Sequence, residues 1–216
     1  MNETKEASSS ANVPAARITR KQAAYIAIST ICLFAAAVAY ALISLPNVEN
    51  LAKLSPSQPV DQAELIFRLI FTCALVAIVE EIIFRGILLR ALLRILKSKA
   101  VILITAGVFA ILHGIPIGIE STMSVDPFLV AISMALKAVQ AFAFGILMAA
   151  FVLCGLNLLG VIVIHAVFDL IYFERYVSII GDFPATYIAA SPDALVALVV
   201  SVAIIAVPAA FAFRTI

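Results

Sequence analysis

Long apolar stretches alternate with short polar connections along most of this chain. About six of the stretches approach 20 residues, the length that a helix needs to cross the hydrocarbon core of a bilayer. They cover residues 21–45, 65–89, 100–119, 127–154, 158–173 and 194–213. This pattern predicts an all-α fold, a polytopic membrane helix bundle with about six transmembrane helices.

Two of the stretches depart from the simple pattern. The fifth, residues 158–173, is short for a full crossing. The fourth is longer than a crossing requires and contains Lys137 and Gln140, which indicates a helix that is tilted or is broken near these residues. The sequence assigns Lys137 and Gln140 no chemical role, and helix packing explains them at least as well as contact with water or substrate.

Composition supports a lipid environment. The chain is 64% hydrophobic and 12% charged, against roughly 45–50% and about 25% in soluble domains. It has no basic run with interleaved aromatic residues, so nucleic-acid binding is excluded. Cys32, Cys73 and Cys154 all lie in apolar stretches without regular spacing, which argues against a disulfide framework or a thiolate metal site.

The distribution of charge predicts the topology. Basic residues lie before the first stretch, between the second and third, and after the last, on one side of a six-helix protein: Arg17, Arg20, Lys21, Arg90, Arg94, Lys97, Lys99 and Arg214. The positive-inside rule therefore places both termini in the cytoplasm. We expect residues 1–20 to be a disordered cytoplasmic tail and residues 21–216 to be one integral membrane domain. The compact form favours a bacterial cell membrane.

The first apolar stretch has a rival interpretation. Arg17 to Lys21, the stretch itself and the Ala-Tyr-Ala sequence at residues 39–41 resemble a secretory signal with its cleavage site. The stretch is longer than the apolar region of such signals, about 7–15 residues. A retained transmembrane helix is therefore the favoured interpretation.

Ionisable residues interrupt three of the apolar stretches. Such residues are costly at membrane depth and usually mark a functional site. At 1.5 Å per residue, Glu80 lies ~15 Å from Arg90, and His113 lies ~20 Å from Ala100. Measured from Asn157, His165 lies ~12 Å and Asp169 ~18 Å into the membrane. Three helices of alternating direction would therefore bring these side chains to a similar depth.

Helical spacing refines this prediction. Residues four apart share a helix face, so Glu81 can pair with Arg85, and His165 can pair with Asp169. Glu80 and Glu81 point about 100° apart around their helix. We therefore expect Glu80 to be the reactive carboxylate and Glu81 to be held in place. Two carboxylates this close are not both easily ionised unless a cation is near, and Arg85 with a metal ion or a proton would meet that need.

Three short motifs coincide with these residues. They are Glu-Glu-x-x-x-Arg at residues 80–85, Phe-x-x-x-His at residues 109–113 and His-x-x-x-Asp at residues 165–169. In this order the chain resembles the membrane-embedded CAAX-type proteases and their bacterial relatives, a group that includes bacteriocin self-immunity proteins. The resemblance covers residues 65–173.

The resemblance implies an intramembrane endopeptidase that acts on membrane-associated, CAAX-type or bacteriocin-like peptide substrates. Relatives that process prenylated proteins remove the last three residues after a lipidated cysteine. By the same resemblance, Glu80 would activate the attacking water with help from His113, while Glu81 and Arg85 would fix the geometry. The implied partners are membrane lipid and a peptide or protein substrate, with lipid anchoring left open.

The resemblance also implies that His165 and the residue at position 169 stabilise the oxyanion. Position 169 is Asn in the eukaryotic enzymes, and an ionised Asp169 cannot donate a hydrogen bond. Asp169 is then protonated, orients His165 or binds a metal. The cofactor is therefore none or one divalent metal such as zinc.

In the metal version the ligands come from His113, His165, Glu81 and Asp169, and Glu80 is the base. No His-Glu-x-x-His helix supports that version. The residues therefore favour a glutamate-based site without a metal.

Other functions remain open beside proteolysis. A non-catalytic self-immunity or scaffold protein would keep the same fold and use binding instead of cleavage. A small transporter could use the buried acids as a proton relay, although the chain lacks the inverted repeat typical of many transporters. Buried ion pairs and core histidines can also be purely structural, but a structural pair needs one acid and this helix has two.

Overall fold

A computed structural model of the chain describes residues 18–54, 61–115, 127–180 and 192–216. Most of the predicted cytoplasmic tail lies outside these residues. The described residues form six helices and no strands, so the predicted all-α fold is confirmed. The helices are α1 (Arg20–Leu54), α2 (Gln62–Glu81, continued by Ile82–Leu88 and Leu89–Leu92), α3 (Ser98–Gly114), α4 (Pro127–Leu153), α5 (Leu158–Ile180) and α6 (Pro192–Thr215).

Three of these helices are long and apolar enough to cross a membrane. They are the segments Arg20–Leu45 of α1, Pro127–Leu153 of α4 and Pro192–Thr215 of α6. Helix α3 is apolar but shorter, and α2 and α5 carry ionisable groups. The chain is therefore an integral membrane protein built from α-helices.

The fourth and fifth helices differ from the sequence prediction. Helix α4 is continuous through Lys137 and Gln140, so the predicted alternative of a break there is wrong. Helix α5 does not end at residue 173 but continues through Glu174 and Arg175 for a total of 23 residues, about 35 Å of helix. The loss of apolar character at Glu174 does not end the helix, and the Ser178 hydroxyl one turn later donates a hydrogen bond to the Glu174 carboxylate.

Helix α2 changes its geometry directly after the paired glutamates. Asp61 caps its first turn by accepting a hydrogen bond from the Ala63 amide, and the α-helical part ends at Glu81. The next seven residues, Ile82–Leu88, are π-helical. Short π-helical turns are uncommon in proteins, and many of those that occur are at functional sites. The apolar periodicity of the sequence gave no sign of this segment.

The described helices pack side by side in an order that differs from their order in the sequence. Helix α2 packs along α5, α5 along α1, α1 along α6, α6 along α4, and α4 along α3. The second half of α4 is the most deeply buried part, since every residue from Ala143 to Phe151 is buried. The polar residues of the other helices therefore lie against a deeply buried part of α4.

Gly145 allows the closest approach between α3 and α4. A Cβ atom at this position would lie 3.0 Å from Ala106 Cα and 3.1 Å from Ala106 Cβ. Small residues at such contacts let membrane helices pack backbone to backbone. By contrast, a Cβ at Gly107 of α3 would meet nothing within 4 Å.

We predict that Gly145→Val destabilises the protein by about 1–3 kcal/mol, because its side chain would overlap the α3 backbone. Gly107→Ala is the matched control and should leave stability unchanged or slightly raised. Unfolding of the purified variants in detergent would measure both effects. Equal stability of the Gly145→Val variant and the unmodified protein would contradict the close packing described above.

Candidate active site

Three helices bring Glu80, His113 and His165 together. Glu80 Oε1 lies 3.6 Å from His113 Nε2, and Glu80 Oε2 lies 3.7 Å from His165 Nε2. The carboxylate of α2 therefore lies between the imidazoles of α3 and α5, as their similar predicted depth requires. Glu80 Oε2 is buried and has no hydrogen-bond partner among the described residues.

Glu81 has a different environment from its neighbour. Its Oε1 atom accepts hydrogen bonds from Arg85 Nη1 at 2.9 Å and from His165 Nδ1 at 2.8 Å. The Glu81 side chain is 0% exposed and that of Arg85 is 2% exposed. Arg85 Nη2 also donates to the Gly145 carbonyl at 3.3 Å. The predicted Glu81–Arg85 pair is present, and it links α2 to α4 and α5.

The two histidines are oriented by bonds from their Nδ1 atoms. His113 Nδ1 donates to the Phe109 carbonyl at 2.9 Å, and the rings of these two residues stack with centroids 4.1 Å apart. His165 Nδ1 donates to Glu81. Both Nε2 atoms consequently face Glu80. Phe109 thus contributes both a stacked ring and the carbonyl that fixes the His113 ring.

Asp169 lies one turn after His165, as its spacing predicts. Its Oδ2 atom is 3.4 Å from His165 Nε2, on the side of the imidazole opposite to Glu81. The Nε2 atom of His165 is therefore placed between the carboxylates of Glu80 and Asp169. This geometry brings all six site residues predicted from the sequence into one cluster.

A small cavity adjoins this cluster. Its volume is about 40 Å³, room for more than one water molecule, since each needs roughly 10–15 Å³ of such space. Aromatic, polar and ionisable side chains line it together: Phe109, His113, Lys137, Gln140, Ala141, Phe144, His165, Phe168 and Asp169.

Lys137 and Gln140 are the site residues that sequence reasoning missed. Lys137, Gln140, Ala141 and Phe144 are spaced as i, i+3, i+4 and i+7, so one face of α4 lines the cavity. That spacing was visible in the sequence, and a charged residue in an apolar helix is itself a signal of function. Neither residue belongs to a motif, and only the tertiary structure places them beside His165.

Gln140 and Lys137 make different contacts. Gln140 Nε2 donates to the Ser201 hydroxyl at 2.7 Å, and Gln140 Oε1 accepts from the Tyr172 hydroxyl at 3.4 Å. Gln140 thus connects α4 to α5 and α6. The Lys137 ammonium lies over the face of Tyr172, 4.4 Å from the ring centroid.

The residues proposed as metal ligands do not form one ligand set. Glu81 bonds to Nδ1 of His165, whereas Asp169 lies beside Nε2 of the same ring. The two carboxylates are therefore on opposite sides of the imidazole and cannot face one ion together with His113. Within the described ranges, no group of three or more His, Cys, Asp and Glu side chains is arranged to hold a metal ion. The full set of four ligands outlined from the sequence is therefore not arranged around one ion.

The fold and the site together define a polytopic membrane protein with a buried cluster of carboxylates and imidazoles. Residues 62–171 match the family described as Type II CAAX prenyl endopeptidase Rce1-like, and the chain belongs to this family. The matched region includes all three motifs and the Lys137 face of α4. Membership implies a protease that acts on a peptide substrate. No curated protein and no solved structure matches the chain.

We predict that Arg85→Met destabilises the protein by about 3–5 kcal/mol, because it leaves the Glu81 carboxylate buried without its cation. Adding Glu81→Gln to this variant should restore part of the loss, since it removes the uncompensated charge. Unfolding in detergent would measure the single and double variants.

Helix α2 provides a matched control for this experiment. Glu64 and Arg68 form an ion pair with the same four-residue spacing, but their side chains are 52% and 65% exposed. Arg68→Met should change stability by less than about 0.5 kcal/mol. Equal effects of Arg85→Met and Arg68→Met would contradict the assigned importance of burial.

Proposed function

We propose that this protein is an intramembrane endopeptidase in which Glu80 activates a water molecule for attack on a peptide bond. One observation carries the proposal: the Glu80 carboxylate lies 3.6 and 3.7 Å from the Nε2 atoms of His113 and His165. These distances are too long for direct hydrogen bonds, and polar groups at such separations are commonly bridged by water. A water held there is in reach of a general base.

The proposed reaction follows from this arrangement. Glu80 takes a proton from the water as its oxygen bonds to the carbonyl carbon of the scissile peptide. The π electrons of the carbonyl move to its oxygen, which becomes an oxyanion. When the intermediate collapses, the carbon–nitrogen bond breaks and the proton on Glu80 passes to the leaving nitrogen. One water is consumed, and a new carboxyl and a new amino terminus are formed.

The remaining predicted site residues have positioning roles in this proposal. Glu81 and Arg85 hold one side of His165, and the Phe109 carbonyl holds His113. Both imidazoles are thereby fixed with Nε2 toward Glu80. A general base works best when its partners are held in place before the substrate arrives.

The substrate in this proposal is a membrane-associated peptide or protein. The site is formed by helices of an integral membrane protein, so a polypeptide held at the membrane can reach it without leaving the lipid phase. A lipid-anchored CAAX-type segment is the class that the family description implies, and a bacteriocin-like peptide is the other class that we propose. Both termini of the enzyme are placed in the cytoplasm by this proposal.

Glu80→Gln should abolish cleavage, because an amide cannot take the proton of the attacking water. Loss of a general base lowers rates by about 10²–10⁴-fold. Mass spectrometry of peptide termini in membranes that contain the unmodified protein or Glu80→Gln at equal abundance would test this. Glu64→Gln on the exposed part of α2 is the control and should behave as the unmodified protein. Identical termini in all three membranes would contradict proteolysis and favour the non-catalytic immunity or scaffold function.

Asp169→Asn should retain cleavage within about tenfold, whereas Asp169→Leu should lose most of it. The amide keeps an oxygen for His165 Nε2, and a hydrogen bond contributes a net ~1 kcal/mol, less than the ~1.4 kcal/mol of a tenfold rate change. The rate of formation of Glu80-dependent termini would compare the two variants. An Asp169→Asn variant as inactive as Glu80→Gln would mean that the charge of Asp169 is itself required.

A further inference from the structure

Lys137 is a cationic side chain that the proposed reaction has not used. It lies in the middle of a membrane-spanning helix, where a charged residue is costly and is retained for a reason. It is half-buried and lines the same cavity as His113, His165 and Asp169. Among the described residues, its ammonium takes part in no hydrogen bond or ion pair of the kind that holds Arg85.

Aromatic rings fix the position of this ammonium. Its nitrogen lies 4.4 Å from the ring centroid of Tyr172 and 5.9 Å from that of Phe173. The Tyr172 ring is itself held by α1, because the Tyr40 ring stacks on it with centroids 3.9 Å apart. A cation over an aromatic face is stabilised but keeps its N–H groups available for other acceptors. The ammonium is therefore held at the cavity as a preorganised donor.

The other N–H groups around the cavity already have partners. The Nδ1 atoms of His113 and His165 donate to Phe109 and Glu81. His165 Nε2 faces the carboxylates of Glu80 and Asp169, so a proton on it points to them.

The two remaining polar side chains of the cavity, Gln140 and Asp169, carry no positive charge. Gln140 donates to Ser201, and Asp169 is an acceptor when ionised. Among the described residues that line the cavity, Lys137 alone offers a full positive charge with uncommitted donors.

We propose that Lys137 is a catalytic residue whose ammonium, at the cavity that it lines together with His113 and His165, donates hydrogen bonds to the oxyanion of the tetrahedral intermediate. The inference rests on the proposed endopeptidase function and names a donor where an ionised Asp169 cannot serve. Lys137 keeps its proton throughout. It stabilises the charge that forms when the water attacks, and the charge is lost when the carbon–nitrogen bond breaks.

The test uses the full-length protein in detergent and a synthetic peptide that spans a Glu80-dependent cleavage site found in membranes. Removal of one oxyanion donor lowers kcat by about 10²–10³-fold. Lys137→Met should show this loss with KM nearly unchanged, because the interaction exists only in the transition state. Lys137→Arg should recover at least part of kcat, since it keeps the charge and the donors. Lys99→Met, at an exposed lysine of α3, is the matched control and should leave both constants unchanged.

Each outcome decides the assignment. A Lys137→Met variant with unchanged kcat overturns it, and so does one in which only KM rises, because Lys137 would then bind the substrate before reaction. If Lys137→Met fails to fold, Lys137→Gln and Lys137→Arg are compared at equal thermal stability, and equal kcat values overturn the assignment. Absence of any Glu80-dependent cleavage by the unmodified protein rejects the endopeptidase function itself, which is a separate result.

Discussion

The buried ion pair between Glu81 and Arg85 is the interaction on which the rest of the site depends. Both side chains are almost completely hidden, so the pair has no help from water and needs further partners. His165 and the Gly145 carbonyl supply them. The pair thereby fixes three helices relative to one another, and it sets the orientation of the imidazole that faces Glu80.

Adjacent glutamates on one helix thus have separate roles. Glu81 accepts two strong hydrogen bonds, while one oxygen of Glu80 is buried without a partner beside two imidazoles. The π-helical segment starts directly after this pair and contains Arg85. A carboxylate held through one oxygen by Arg85 and His165, next to a second carboxylate that faces two imidazoles, is an arrangement suited to holding a water molecule next to a base.

Helix α4 contributes to this site without carrying any of the motifs. Its glycine allows α3 to approach closely, its backbone carbonyl accepts from Arg85, and its polar face lines the cavity. Lys137 adds a cation held over Tyr172. The motif residues on α2, α3 and α5 therefore supply the base and the groups that position it, and α4 supplies one side of the cavity.

The sequence by itself determined the all-α membrane fold, the Glu81–Arg85 pair and the similar depth of Glu80, His113 and His165. These follow from local rules, since apolar length predicts a spanning helix and four-residue spacing puts side chains on one face. Only the tertiary structure decided the π-helical turn, the placement of Glu81 and Asp169 on opposite sides of His165, and the position of Lys137 at the cavity. Those features depend on contacts between helices distant in sequence, and helical periodicity holds no information about which helices become neighbours.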